Sequence, residues 1–252
     1  MRAAIAFALL TLAGVAGSQT PTSPPPMLQG VHRVVMLGDS ITQFGDGYGG
    51  YVWMTRLFLQ KLYPDQNIEL INAGISGNKS TDMLARYQTD VLDKKPDLLT
   101  ISVGVNDVWH GFYDNHPMGD GPKGIPLEDY KRNVDEMVTK AQAIGSRVVI
   151  LSATPIYEDF GNRENAKAAA YNGALKDIAR RHHVPFVDYQ RPFRDLIGAY
   201  RRTTGARDNL LTTDGVHMNP QGYRVMTHTL LSALGISPEA RAAVEPDVLK
   251  QK

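Results

Sequence analysis

Between residues 33 and 188 the chain alternates short apolar runs with longer amphipathic stretches. The runs are RVVML (33–37), IELIN (68–72), DLLTISV (97–103), RVVILS (147–152) and VPFVD (184–188). Each is nearly continuous in apolar character, the pattern of parallel strands covered on both faces. Helices are predicted over about 51–63, 80–94, 127–144, 163–182 and 219–234. Leu127, Tyr130, Val134, Met137, Val138 and Ala141 show the spacing that puts them on one helical face. Ser80 and Asn162 are expected N-caps, and Gly145 an expected C-terminal stop. Five strand–helix repeats predict a single α/β domain with a five-stranded parallel sheet and right-handed crossovers. Ligands of such sheets bind outside the carboxyl ends of the strands, so the loops that follow the strands are the places to look for chemistry.

The N-terminus departs from this pattern. MRAAIAFALLTLAGVAGS carries one basic residue, an apolar stretch from Ala3 to Ala16 and then small residues. That is the build of an export signal, predicted over 1–18 with cleavage after Ala16 or Ser18 and hence a secreted or periplasmic location. The stretch is short for a membrane span, which needs about 20 apolar residues, and no cysteine is present to carry a lipid. No stable membrane anchor is expected. Residues 19–30 read as a stiff Pro-rich lead-in outside the core, 31–236 as the folded domain and 237–252 as a C-terminal tail.

Charge narrows the partners. The formal net charge is +1, and loss of Arg2 with the signal leaves 26 basic against 26 acidic side chains. The basic clusters KRN, ARRHH and YRRT are scattered, so no nucleic-acid surface is expected. A chain with no cysteine has no disulfides, no thiol nucleophile and no zinc–thiolate site, and must be held by its core. No metal-ligand spacing such as HExxH occurs, and neither a metal nor a cofactor is expected.

Four post-strand loops carry polar groups of chemical interest: GDS at 38–40, NAGISGNKS at 72–80, GVNDVW at 104–109 and TTDGVHMNPQGY at 212–223. Gly-Asp-Ser is turn chemistry in itself, but Ser40 also stands where a nucleophile would be presented. A serine needs a base to take its proton, and the base needs a partner to fix its tautomer. Asp214 and His217, three apart in a short Gly-containing loop, can supply both. The Ser40 backbone N–H, the Gly77 backbone N–H and the Asn106 amide are candidate oxyanion donors. Gly77 and Asn106 are equally readable as turn residues. Gly45, Gly47 and Gly50 match G-x-G-x-x-G but do not follow the strand directly, as a dinucleotide fingerprint must, and are read as a loop bordering the site.

Taken together and in this order, GDS, NAGISG, GVND and DGVH resemble the SGNH hydrolase superfamily, the GDSL-type esterases and lipases, over residues 33–233. The resemblance implies a flavodoxin-like three-layer α/β/α sandwich. It implies Ser40 as nucleophile, His217 as base, Asp214 as its partner, and Ser40, Gly77 and Asn106 as the oxyanion hole. The stretch with GISGN, KPD and NDVW is also similar to bacterial SGNH acetylxylan esterases. Tyr48, Tyr51, Trp109, Phe112 and Tyr113 are interleaved with Gly, Asp and Asn in two long loops, a composition suited to stacking on sugar rings. Tyr48 and Trp109 are the substrate-binding candidates. The expected substrate is a small-molecule or glycan ester with a short acyl group. The rival expectations are a lipase or lysophospholipase acting on longer chains and a carbohydrate-binding module with an inactive hydrolase fold. The oligomeric state is not readable from these residues.

Overall fold

The computed structural model describes residues 23–251. The expected export signal therefore lies outside the described residues, as does the start of the Pro-rich lead-in.

Five strands form one sheet: β1 (Arg33–Gly38), β2 (Glu69–Gly74), β3 (Leu98–Ser102), β4 (Arg147–Leu151) and β5 (Phe186–Val187), in the order β2-β1-β3-β4-β5. All neighbours are parallel, with Val35 paired to Ile71 on one side and Leu99 on the other. The central strands are buried on both faces: Val35, Met36, Leu37, Leu99, Ile101 and Val149 are fully covered. This explains why their sequences do not alternate. β5 is two residues long where 184–188 was expected, because Pro185 and the partly exposed edge restrict its pairing to Ile150 and Leu151.

The long helices lie on both faces. One layer holds α2 (Tyr51–Leu62) and α9 (Pro220–Ala233), with α8 (Gln190–Thr204) packed on α9. The other holds α3 (Ser80–Ala85), α6 (Leu127–Ala143) and α7 (Arg163–Arg181). Asn162 caps α7 as expected, its side chain accepting the Asn165 N–H at 2.7 Å. Gly145 takes φ +81° just past α6, the left-handed position a helix stop favours.

Four expectations are corrected. The helix expected over 80–94 breaks after Ala85, and a short α4 (Tyr87–Asp90) follows. Arg86 at the break is drawn inward: its guanidinium bonds the Asn78 side chain, the Gly38 carbonyl and Asp90. Ser80 is not an N-cap but the first residue of α3, fully buried with its N–H given to Asp107. The expected tail instead folds as α10 (Pro238–Lys250), capped by Ser237 and packed on α2 through buried Val244 and Val248. The end of the lead-in also joins the core: Leu28 is fully buried in a 3-10 turn, and Arg147 bonds the Met27 and Gln29 carbonyls.

Candidate active site

β1 ends at Gly38, and the chain turns at once into the five-residue helix α1 (Ser40–Phe44). Asp39 is the N-cap, its Oδ1 accepting the Ile41 N–H at 2.9 Å, which relieves one of the unpaired donors of a helix start. Ser40 is thereby set on the first turn at the carboxyl end of the sheet, 7% exposed. Gly38 is required there, since a β-carbon would lie 2.0 Å from Thr42 Oγ1.

The loop before α9 comes from the other end of the chain. His217 Nε2 lies 2.9 Å from Ser40 Oγ, and His217 Nδ1 lies 2.6 Å from Asp214 Oδ2. The other carboxylate oxygen accepts the backbone N–H groups of His217 at 2.7 Å and Val216 at 2.9 Å. One carboxylate therefore orients both the ring and the backbone of His217. Its partial burial disfavours the charge, but the hydrogen bonds from His217 and Val216 outweigh this and hold Asp214 below the usual carboxylate range. With a carboxylate at Nδ1, the neutral imidazole carries its proton there and turns the Nε2 lone pair to Ser40. That is the arrangement needed to remove a hydroxyl proton.

The loop is a tight hairpin. Thr212 and Met218 form an antiparallel bridge, the Thr213 N–H bonds the His217 carbonyl at 2.8 Å, and Asn219 ties back to Leu210 and Leu211. Asn219 then caps α9 through the Gly222 N–H.

Gly77 and Asn106 lie on adjoining loops. Gly77 takes φ +77° in the turn after β2. Asn106 is 4% exposed in α5 (Val105–Trp109) and donates to the carbonyl of Asn78, the residue after Gly77, at 3.1 Å. Arg86, through Asn78 and the Gly38 carbonyl, ties this turn to the end of β1.

Two buried carboxyls lie underneath. Burial pushes Asp39 up to about 7, reinforced by the nearby Asp107 and opposed by the Ile41 N–H. Burial likewise pushes Asp107 up to about 6, against hydrogen bonds from Ser80. Asp107 Oδ2 has no hydrogen-bond partner among the described residues.

Tyr48 and Trp109 are brought to different ends of the hairpin. Tyr48 is 64% exposed, lies against Trp53 and lines a recess with Pro220 and Gln221. Trp109 donates through Nε1 to Tyr157 OH at 2.6 Å, and Tyr157 in turn abuts Gly215. The expectation of a border loop at Gly45, Gly47 and Gly50 fits the packing. A β-carbon on Gly50 would lie 2.2 Å from the Gly45 carbonyl, so these glycines close on each other rather than on a phosphate.

Residues not anticipated from sequence are Phe44, whose half-exposed ring lies 5.7 Å from that of His217, and Tyr157 and Glu158 after β4. Phe44, four residues past Ser40 on a short helix, was findable by spacing. Tyr157 and Glu158 carry no local signal.

The chain matches the GDSL-like Lipase/Acylhydrolase family over residues 36–225. An acetylxylan esterase from Geobacillus stearothermophilus is 30% identical over 217 residues, covering 81% of this chain and 94% of that protein. An isoamyl acetate-hydrolyzing esterase from Saccharomyces cerevisiae is 23% identical, covering 80% and 85%. The crystal structure of Axe2, an acetylxylan esterase from Geobacillus stearothermophilus, superposes with a TM-score of 0.70 at 28% identity, covering 82% of this chain and 95% of that one. Its fold is the one described above, the SGNH hydrolase fold. The chain thus belongs to the GDSL-like lipase/acylhydrolase family and is a carboxylic ester hydrolase.

Proposed function

We propose that the protein is an exported serine esterase that removes acetyl groups from a carbohydrate through an acyl-Ser40 intermediate. The observation that carries the mechanism is the unbroken chain Asp214–His217–Ser40, with hydrogen bonds of 2.6 and 2.9 Å. His217 Nε2 takes the Ser40 proton as Oγ attacks the acyl carbon, and Asp214 stabilises the imidazolium that forms. Charge develops on the carbonyl oxygen, where the N–H groups of Ser40 and Gly77 and the Asn106 amide are the donors we assign. His217 then gives its proton to the departing alcohol, and water, deprotonated by the same ring, releases acetate.

The acyl group and the alcohol rest on separate supports. Relatives named for acetylxylan and for isoamyl acetate share an acetyl ester and differ in the alcohol, which favours a small acyl group. For the alcohol side, the support is the aromatic pair Trp109 and Tyr157, joined by the indole N–H to the phenol hydroxyl next to the hairpin, and the exposed Tyr48 at its other end, side chains of a kind that stack on sugar rings. The export signal read in residues 1–18 would bring such an enzyme to polymeric glycans outside the cytoplasm. The substrate test compares acetyl, octanoyl and palmitoyl p-nitrophenyl esters and then measures acetate from acetylated xylan. Acetyl is expected to be cleaved fastest, with acetate released from the glycan. Preference for long chains with no release from the glycan moves the reading to a lipase or lysophospholipase.

Ser40→Ala should lower kcat on the order of 10^4- to 10^6-fold while thermal unfolding is unchanged. More than about a tenth of wild-type activity in the folded variant would remove Ser40 from the mechanism. Asn106→Ala should lower kcat roughly 10^2- to 10^3-fold with little change in KM. A raised KM with kcat intact would instead make Asn106 a ground-state binding group.

The carboxyl under the nucleophile gives a pH signature. Because Asp39 is raised to about 7 in the folded chain from an ordinary 3.8, the folded protein binds a proton the unfolded chain has released. Stability from this group is thus fully present below about pH 4 and lost as pH rises to about 7. Asparagine keeps the acceptor for Ile41 N–H without the titration. The Tm of wild type should therefore fall relative to Asp39→Asn between pH 4 and pH 8; parallel profiles would mean that Asp39 is ionised throughout.

A further inference from the structure

We infer that Glu158 is a positioning residue for the acid–base hairpin, its buried carboxylate fixing the segment from which Asp214 and His217 project. The inference rests on the mechanism proposed above. Glu158 is fully buried, and no cation lies within ion-pairing distance of it among the described residues. Its two oxygens are instead filled from the hairpin. Oε2 accepts the Leu210 N–H at 2.9 Å, while Oε1 accepts the Leu211 N–H at 2.7 Å and the Thr212 hydroxyl at 2.8 Å.

An isolated buried carboxylate is expensive unless several donors converge on it, and here all three come from the segment, residues 210–212, that leads into Asp214. The contact is extended by a relay. Thr212 Oγ1, which donates to Glu158, accepts the Gly215 N–H at 3.2 Å, and the Gly215 carbonyl accepts the Tyr157 N–H at 2.7 Å. The hairpin is thus held at three successive residues and again at the residue after Asp214.

The backbone confirms that this contact is imposed rather than incidental. Tyr157 and Glu158 both have positive φ, +63° and +48°, a conformation that bulky L-residues adopt at a cost of about 1 kcal/mol or more only where surroundings enforce it. Gly215 matches them with φ +94°, and a β-carbon there would lie 2.9–3.0 Å from Tyr157 atoms. Tyr157 OH receives the Trp109 indole N–H, so the same two residues join the loop carrying Asn106 to the hairpin carrying His217. The β4–α7 loop, which supplies no reacting group, acts as a strut between the two halves of the site.

The test is Glu158→Gln in the full chain. The amide turns a donor toward one of the backbone N–H groups, so the hairpin shifts while side-chain volume is kept. A displacement of this kind should lower kcat for p-nitrophenyl acetate about 100-fold with KM nearly unchanged. In the same sample, the far-downfield proton resonance of the His217 Nδ1–H···Asp214 bond should broaden or vanish, while circular dichroism stays native. Thr212→Val, which removes one of the three donors to Glu158 and the acceptor for the Gly215 N–H but keeps the carboxylate itself, should lower kcat about 10-fold with the same split. It also decides the matter if Glu158→Gln does not fold. Native kcat and an intact resonance in folded Glu158→Gln, or in Thr212→Val if the first variant unfolds, overturn the inference. Activity surviving Ser40→Ala overturns the underlying mechanism instead, so the two failures are distinguishable.

Discussion

The bond between His217 Nε2 and Ser40 Oγ joins residues 177 apart in sequence at 2.9 Å, and much of the architecture serves to hold that distance. The parallel sheet brings β1 to its centre, with Ser40 at the carboxyl end. α9 then docks beside α1, so that the hairpin preceding α9 arrives over the serine. Tyr223 on α9 donates its hydroxyl to the Ile41 carbonyl at 3.2 Å, and its ring lies parallel to that of Tyr51, whose own hydroxyl meets Thr42 at 2.7 Å. Three buried hydroxyls thus register α9 and α2 against α1. Each is paired, as buried polar groups must be, and their geometry leaves the hairpin little latitude.

Charge is distributed unevenly around this point. Asp214, the carboxylate in contact with the imidazole, is about half exposed and carries three hydrogen bonds that favour its ionised form. Asp39 and Asp107, next in sequence to Ser40 and Asn106, are buried, and burial raises them to about 7 and about 6 respectively. The contrast has a consequence. In the mechanism we propose, an ionised carboxylate beneath Ser40 would repel the developing oxyanion, whereas one beside the imidazole stabilises the imidazolium. Burial keeps the former weakly acidic, and hydrogen bonding keeps the latter strongly so.

The part of this site that was legible in sequence is the part encoded by local geometry. GDS, NAGISG, GVND and DGVH each occupy a post-strand or pre-helix turn whose residues are required where they stand. Asp214 and His217 are three apart because an Asx-type turn lets one carboxylate reach both Nδ1 and the backbone. Most of the long helices and all five strands are likewise readable from periodicity, β5 being shorter than its apolar run. α8 was not, since Phe193 and Ile197 are the buried hydrophobics of a 15-residue helix otherwise rich in arginine and threonine. α10 is not legible either, although Ala240, Val244 and Val248 recur every four residues, because small side chains and Pro246 weaken the signal. The break at Arg86 depends on Gly38 and Asn78, to which no helical pattern points.

Glu158 marks the limit of such reading. Its partners lie 52–54 residues away, its neighbours are loop residues, and a lone glutamate in YEDFGN reads as solvated surface. What distinguishes it is tertiary: complete burial with no counter-cation among the described residues, and a backbone conformation that neither it nor Tyr157 favours. Residues that react tend to be set in motifs, because the chemistry demands a fixed local spacing. Residues that hold a reacting loop in place answer to a distant surface, and nothing local constrains their sequence. The same division explains Arg86 and Tyr223, which also bind backbone carbonyls of the β1–α1 corner from remote helices. The groups to which we assign the reaction stand on short turns, and their mutual geometry is enforced from three separate elements by side chains whose roles emerge only once the chain has folded.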